Sequence, residues 1–330
     1  MPATVIHAAI FTAGALIGGS LAAIATRRNL PRQPAERAVI EIDTYTGRTQ
    51  LSESQASFAA SSILKYGNPG PICDLLRRQA FVVGYDRRLR HPSWTAEHLT
   101  AARLSKSPDN PPVTGDRSKS TFGEDEELPS RFRATLKDYF RSGYDRGHMV
   151  PAADAKTSQT AMDETFLLSN IAPQVGVGFN RHYWAYLEDW CRKLTNNFTD
   201  VYVFTVPLYL PKLDPDGKWR VTYEVIGSPP NVSVPTHFAK VVLASKPSSS
   251  SSSSVPELST GAFVVPNAAI PEDAPLESFI VPVEAVERAA GLTLFSESVK
   301  SNSVHICKRT QCRVTVRRFD EAQRRLKGKV

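Results

Sequence analysis

Apolar residues along the chain fall into three kinds of pattern. The first is Val5 to Thr26, VIHAAIFTAGALIGGSLAAIAT, which holds no Asp, Glu, Lys or Arg. About 20 apolar residues suffice to cross a bilayer, so residues 1–28 read as a transmembrane or targeting segment. Residues 29–60 are polar and loosely patterned and read as a linker. The second pattern is β-branched and aromatic. It predicts strands over Phe81–Tyr85, Val201–Val206, Trp219–Ile226, His237–Ala244, Gly261–Pro266 and Leu276–Val281. The third has helical spacing. Trp184, Leu187, Cys191 and Leu194 recur at three- and four-residue steps and predict an amphipathic helix running on from Asn180. Short helices are expected over Arg131–Phe140 and Pro282–Ala290. Ser105–Ser120 reads as a loop. The serine run Ser248–Ser254 cannot build a core, which makes 245–256 a flexible surface insertion. Strands and helices mix without regular βαβ alternation. The expected class is α+β, with a mixed, largely antiparallel central sheet flanked by helices.

Composition narrows this only a little. Of 330 residues, 41% are hydrophobic and 22% charged, which excludes a wholly disordered chain. Lys plus Arg is 40 against 33 Asp plus Glu, a net charge of +7. That surplus suits nucleic acid or an anionic lipid surface, and equally a basic protein with neither. It is concentrated in two places. Arg87, Arg88 and Arg90 share one short stretch, and Lys308 to Val330 carries nine Lys/Arg against Asp320 and Glu321. Glu124–Glu127 is a short acidic run whose expected place is a solvated face. Cys73, Cys191, Cys307 and Cys312 are too few for a disulfide scaffold and contain no CxxC, so buried thiols are expected, with a disulfide left to an oxidising compartment. Arg27 and Arg28 follow the apolar run and the first acid is Glu36, as in a mitochondrial presequence. Ala23-Ile24-Ala25 would instead suit a secretory cleavage site, although no basic residue precedes the run. The sequons at Asn197 and Asn231 would separate the two, since only a secreted chain meets the glycosylation machinery.

The densest chemical text is Gly143-Tyr144-Asp145-Arg146-Gly147-His148-Met149-Val150-Pro151. A neutral imidazole takes a proton from water near pH 7, and Gly147 lets the backbone pass closely. Ser169-Asn170-Ile171-Ala172-Pro173-Gln174 follows, then Asn180 and Glu188. Taken singly, each has a plainer meaning: a structural histidine, a turn at Asn170, a helix cap at Asn180, a surface acid at Glu188. Asn180 and Glu188 stand eight positions apart, about two turns, on roughly one helix face. The rise between them is about 12 Å, too far for easy shared ligation. One Mg²⁺ could be held directly by Asn180 and through a water by Glu188, with phosphate oxygens completing its shell.

In this order the segments resemble the DNA/RNA non-specific endonucleases, most closely the fungal form of their mitochondrial endonuclease G branch. The likeness runs over most of the expected domain, 61–318, and leaves 319–330 as a basic tail. Tyr85-Asp86-Arg87-Arg88 and Pro207-Leu208-Tyr209-Leu210-Pro211 support it, while Val206 stands where the family often has Gly. The resemblance implies a ββα-metal (His-Me finger) nuclease. His148 would be the general base, Asn180 the direct Mg²⁺ ligand, and Glu188 the holder of a metal-bound water. Arg146 would assist near the phosphate and Asn170 would orient the histidine or its surroundings. Mn²⁺ would substitute for Mg²⁺. Arg87, Arg88 and Arg90 could meet backbone phosphates of DNA and RNA substrates. The resemblance also implies 5′-phosphate ends, a homodimer, and a mitochondrial location at the inner membrane or intermembrane space. Two rivals are a membrane-anchored nucleic-acid-binding protein without catalysis and a phosphodiesterase of small nucleotide diesters.

Overall fold

The computed structural model describes residues 69–104, 115–248 and 255–316, all within one unit, Pro69–Val330. The apolar segment at 1–28, the linker, serines 249–254 and the tail beyond residue 316 lie outside the described residues. Among the described residues no helix is long and apolar enough to cross a membrane.

The centre is an eight-stranded sheet. Its strands are β1 (Cys73–Arg77), β2 (Phe81–Asp86), β3 (His91–Leu99), β6 (Asp200–Leu208), β7 (His237–Lys246), β8 (Glu257–Pro266), β9 (Ile280–Val281) and β10 (Ser303–His305). They lie in the order β1-β2-β3-β6-β7-β8-β9, and β10 also pairs with β8. Every pairing is antiparallel except β8 with β10. Side chains alternate across a strand. On β7, Phe238, Val242 and Ala244 therefore face one layer, and Ala239 and Val241 the other. The first layer is built on helix α1 (Ala185–Lys193), where Leu187, Trp190 and Cys191 join Trp184 and Leu194 against Val201, Val203, Phe238 and Phe263. The second is built on α2 (Val283–Ala290), whose Val283 and Val286 meet Val206, Ala239, Val241 and Ala262. The expected α+β class, with helices flanking a largely antiparallel sheet, is the observed one.

Several local expectations are corrected. Arg131–Phe140 is not one helix but a 3-10 turn, Ser130–Phe132, and a short helix, Leu136–Tyr139. Thr135 takes extended backbone between them and its N–H donates to Asp138 Oδ2 at 2.7 Å, which starts a new helix. Trp219–Ile226 is strand only at its ends, because 221–224 meets no neighbouring strand. Leu276–Phe279 is a 3-10 turn entered from Pro275, and only Ile280–Val281 pairs with β8. β1 and β3 escaped the pattern, since β3 begins with His91-Pro92-Ser93 and β1 alternates little. Cys307 and Cys312 form a disulfide, against the buried-thiol expectation, whereas Cys191 is a buried thiol and Cys73 an exposed one. Nor is the acidic run wholly solvated. Asp125 is buried, pairs with Arg78 and accepts a hydrogen bond from Ser169 Oγ.

Candidate active site

A separate hairpin carries the histidine. Strand β4 (Asp145–His148) pairs antiparallel with β5 (Ile171–Gln174), with Gly147 opposite Ala172 and His148 opposite Ile171. A Cβ on Gly147 would lie 2.1 Å from Gln174 Oε1, so the close passage read from the sequence is real. After β5 comes an irregular helical stretch, Gly176–Trp184, in which Val177 and Gly178 leave helical geometry, Gly178 at φ 82°. Helix α1 continues from it. Two short strands and a helix thus converge on one open cleft of about 1270 Å³, lined by His148, Arg146, Asn180, Glu188, Asp145 and Arg181 among others.

The imidazole is confined. Phe122 and Phe166 pack on it at ring separations of 5.3 and 4.7 Å. Its Nε2 is buried and has no hydrogen-bond partner in the protein, although the residue as a whole is part-exposed. Burial, then the charges of Arg117 and Arg146, push its pKa down to about 3. It is therefore neutral at pH 7, with a buried polar atom that nothing in the protein satisfies. Asn170 sits behind it, fully buried. Its Oδ1 accepts from Val150 N at 3.0 Å, while Nδ2 donates to Val150 O and Thr165 O at 3.0 and 2.9 Å. It therefore clamps the chain just after the histidine, and all three of these side-chain hydrogen bonds go to backbone.

Asn180 is not a helix cap. Its N–H donates to Val175 O at 2.9 Å and its side-chain Nδ2 donates to Asp145 Oδ2 at 2.9 Å. That bond fixes the amide and leaves the neutral Oδ1 lone pairs uncommitted by it. Asp145 also accepts from Arg181 Nε at 2.8 Å. Burial works to raise this carboxyl, but the hydrogen bonds from Arg181 and Asn180 hold it below the usual carboxylate range. About two turns of chain beyond Asn180, burial pushes Glu188 up to about 7 against the nearby charges of Lys240 and Arg192. Arg192 is tied to Asp154, Nη1 to Oδ1 at 2.8 Å. Lys240, buried in the middle of β7, donates to Thr205 Oγ1 at 2.7 Å and to Met149 O at 3.2 Å, the residue beside His148.

Among the described residues no three His, Cys, Asp or Glu side chains gather as a metal cage. The donors present, one amide oxygen and one carboxylate lining an open cleft, fit a hard divalent cation that keeps several waters and takes phosphate oxygens. Arg146 stands over the Phe122 ring at 4.2 Å on the cleft wall.

The structure thus brings His148, Arg146, Asn180 and Glu188 together and places Asn170 just behind. It does not bring in Arg87, Arg88 and Arg90. Arg87 grips Asp74, with Nε to Oδ2 at 2.6 Å, and Arg90 Nε donates to Asn231 Oδ1 at 3.1 Å. Only Arg88, with 72% of its side chain exposed, is largely free of such a grip. Sequence reasoning missed Arg117, Phe122, Arg181 and Lys240. A lone lysine inside the apolar run of β7 was a signal, since lysine is seldom fully buried without a partner. Arg117 and Phe122 carried none, because they reach the cleft from a segment with no periodicity.

A family model described as DNA/RNA non-specific endonuclease matches residues 59–301. The mitochondrial nuclease 1 of Schizosaccharomyces pombe is 48% identical over 270 residues, covering 82% of this chain and 81% of that protein. The mitochondrial nuclease of Saccharomyces cerevisiae is 49% identical, covering 79% and 78%, and human mitochondrial endonuclease G is 44% identical, covering 70% and 72%. Among solved structures, a chain from the crystal structure of the EndoG/EndoGI complex is 45% identical, with a TM-score of 0.63 over 74% of this chain and 94% of that one. With most of the chain matched and the ββα cleft in place, this protein belongs to the DNA/RNA non-specific endonuclease family.

Proposed function

We propose that this nuclease hydrolyses phosphodiester bonds of both DNA and RNA with a divalent cation, Mg²⁺ or Mn²⁺ in its place, leaving 5′-phosphate and 3′-hydroxyl ends. The observation that carries the reading is the neutral imidazole of His148 lining the same cleft as Asn180 and Glu188. The His148 imidazole, neutral and part-exposed on the cleft, takes a proton from a water molecule as the water oxygen attacks phosphorus. The bond to the 3′ oxygen breaks, and that oxygen leaves with a proton from solvent. No 2′-hydroxyl takes part, so the sugar does not decide the outcome. Asn180 would hold the cation directly and Glu188 through a water. The cation supplies positive charge to a transition state richer in negative charge than the diester. Arg146 adds a fixed positive charge on the cleft wall, and Asn170 keeps the histidine strand in place through Val150.

The basic surface, Arg88 included, would give affinity without sequence preference. In line with the mitochondrial names of its relatives, the protein is read as mitochondrial. To that reading we add, as our own proposal, the intermembrane space or inner membrane, residues 1–28 as address or anchor, and a homodimer. Fractionation of tagged full-length protein with N-terminal sequencing tests the location, and sedimentation tests the dimer. A plasmid-nicking assay with Mg²⁺, with EDTA and with His148→Ala tests the chemistry. Nicking by wild type with Mg²⁺ alone is expected. Binding without nicking would return the protein to an anchored nucleic-acid-binding role, and preference for a dinucleotide over long DNA would make it a small-diester phosphodiesterase.

A further inference from the structure

One part of the cleft wall has no task in the chemistry above. After the short helix Leu136–Tyr139 the chain turns sharply, and Phe140 is left 70% exposed on the wall of the cleft that holds His148. A single exposed phenylalanine is ordinary on a protein surface. Three observations make this one different. Arg141 has φ 54°, a left-handed backbone that a long side chain rarely adopts, and it is kept there in a turn closed by Gly143 at φ 86°. The turn is braced by Phe140 N donating to Lys137 O at 3.2 Å and Ser142 N to Tyr139 O at 3.3 Å. The Arg141 guanidinium lies over the Phe140 ring, 5.0 Å from its centroid. A strained, braced turn therefore sets an aromatic ring in water with a cation laid on it, inside the cleft where a polyanion would run.

We propose that Phe140 and Arg141 form a stacking step for one unstacked nucleobase of a single-stranded DNA or RNA substrate, the base lying on the Phe140 ring and the adjoining phosphate meeting the Arg141 guanidinium. The inference rests on the endonuclease reading and adds a substrate form to it. Every base has a π face, so such a step binds without reading sequence, as a non-specific enzyme needs. A base inside a duplex is already stacked on its neighbours and must leave them to reach the ring. The step therefore favours single strands over paired ones.

The test uses a fluorescent single-stranded oligonucleotide with one hydrolysable linkage and an abasic residue moved along it position by position. Wild-type kcat/KM should fall on the order of tenfold when the abasic residue occupies one particular position. Phe140→Ala should show that loss already on the intact strand, mainly in KM, and lose nothing further at the abasic position. Phe140→Trp should restore both, and a fully paired duplex should respond much less. The proposal is overturned if Phe140→Ala cleaves the intact strand as wild type does, or stays equally sensitive to the abasic position. Fluorescence anisotropy of the same strands in EDTA reads the stacking without cleavage. A wild type that binds with this positional signature but never cuts would refute the hydrolase reading and leave the stacking step standing.

Discussion

Two stretches of this chain spell nearly the same chemistry. Asp86-Arg87-Arg88-Leu89-Arg90-His91 and Asp145-Arg146-Gly147-His148 each place an acid, arginine and histidine within a few residues. In the first, the histidine is finished. His91 Nδ1 lies 2.6 Å from Pro92 O and Nε2 lies 2.6 Å from the Tyr209 hydroxyl. In the second, His148 Nε2 is buried and touches no partner. Burial lowers both imidazoles, to about 4 and about 3, so the titration alone does not separate them. What separates them is the bond left unmade, together with the open cleft in front of it. A hydrogen-bonded histidine is architecture, and one held neutral with a free lone pair in a cleft is available for work.

The comparison breaks first at the histidines. His148→Ala should lower kcat/KM for plasmid DNA by about 10²–10⁴-fold while leaving affinity in EDTA intact. His91→Gln should leave cleavage by the folded fraction within about twofold and reduce the urea midpoint, by about 1–3 kcal/mol of lost buried hydrogen bonding. Equal activity losses in the two variants would erase the distinction. Next in size, Asn180→Ala should raise the Mg²⁺ concentration for half-maximal cleavage on the order of 10- to 100-fold, read from Mg²⁺ titrations of nicking. An unchanged requirement would remove Asn180 from the ion.

A smaller effect sharpens the first stretch by pH. Below about pH 6.5 the unfolded chain protonates His91, while the folded chain keeps it neutral down to about 4. The unfolded state then binds more protons, so this residue subtracts stability as pH falls through that window. Glu97 and Glu188, pushed up mainly by burial, act in the opposite sense, which makes the comparison one between variants. The stability gap between wild type and His91→Gln should narrow between about pH 7.5 and about pH 5, as read from urea midpoints. A constant gap would show that His91 is not buried neutral. Smallest of all, Arg88→Gln should weaken DNA binding and reduce its salt slope by about 1, whereas Arg87→Gln should leave the salt slope unchanged and act only on stability, slightly, through Asp74. Binding isotherms over a salt series separate the two.

The same contrast shows how far the sequence could be read. The ββα arrangement was expected only through the family resemblance that Asp145–His148, Asn170, Asn180 and Glu188 carry in their order, since each residue taken singly had a plainer meaning; the hairpin and the following helix that hold them are local in the chain. The central strands were visible because β6 and β7 are apolar on both faces. The turn Asp86–His91 misled, since nothing local in Arg87 or Arg90 announces Asp74 or Asn231 as partners. Trp219–Ile226 alternates like a strand but lacks a neighbour, and a ladder is a property of two segments. Arg117 and Phe122 reach the cleft through tertiary packing alone.

Lys240 carries a practical consequence. Its ammonium reaches from the middle of the oiliest strand to the carbonyl of Met149. Someone seeking a more heat-tolerant enzyme would be tempted to fill that position with leucine and complete the hydrophobic ladder. The swap would unfasten the loop next to the reactive ring and leave the buried Glu97 carboxyl, 4.0 Å from that ammonium, without its cation, so melting temperature and rate would fall together.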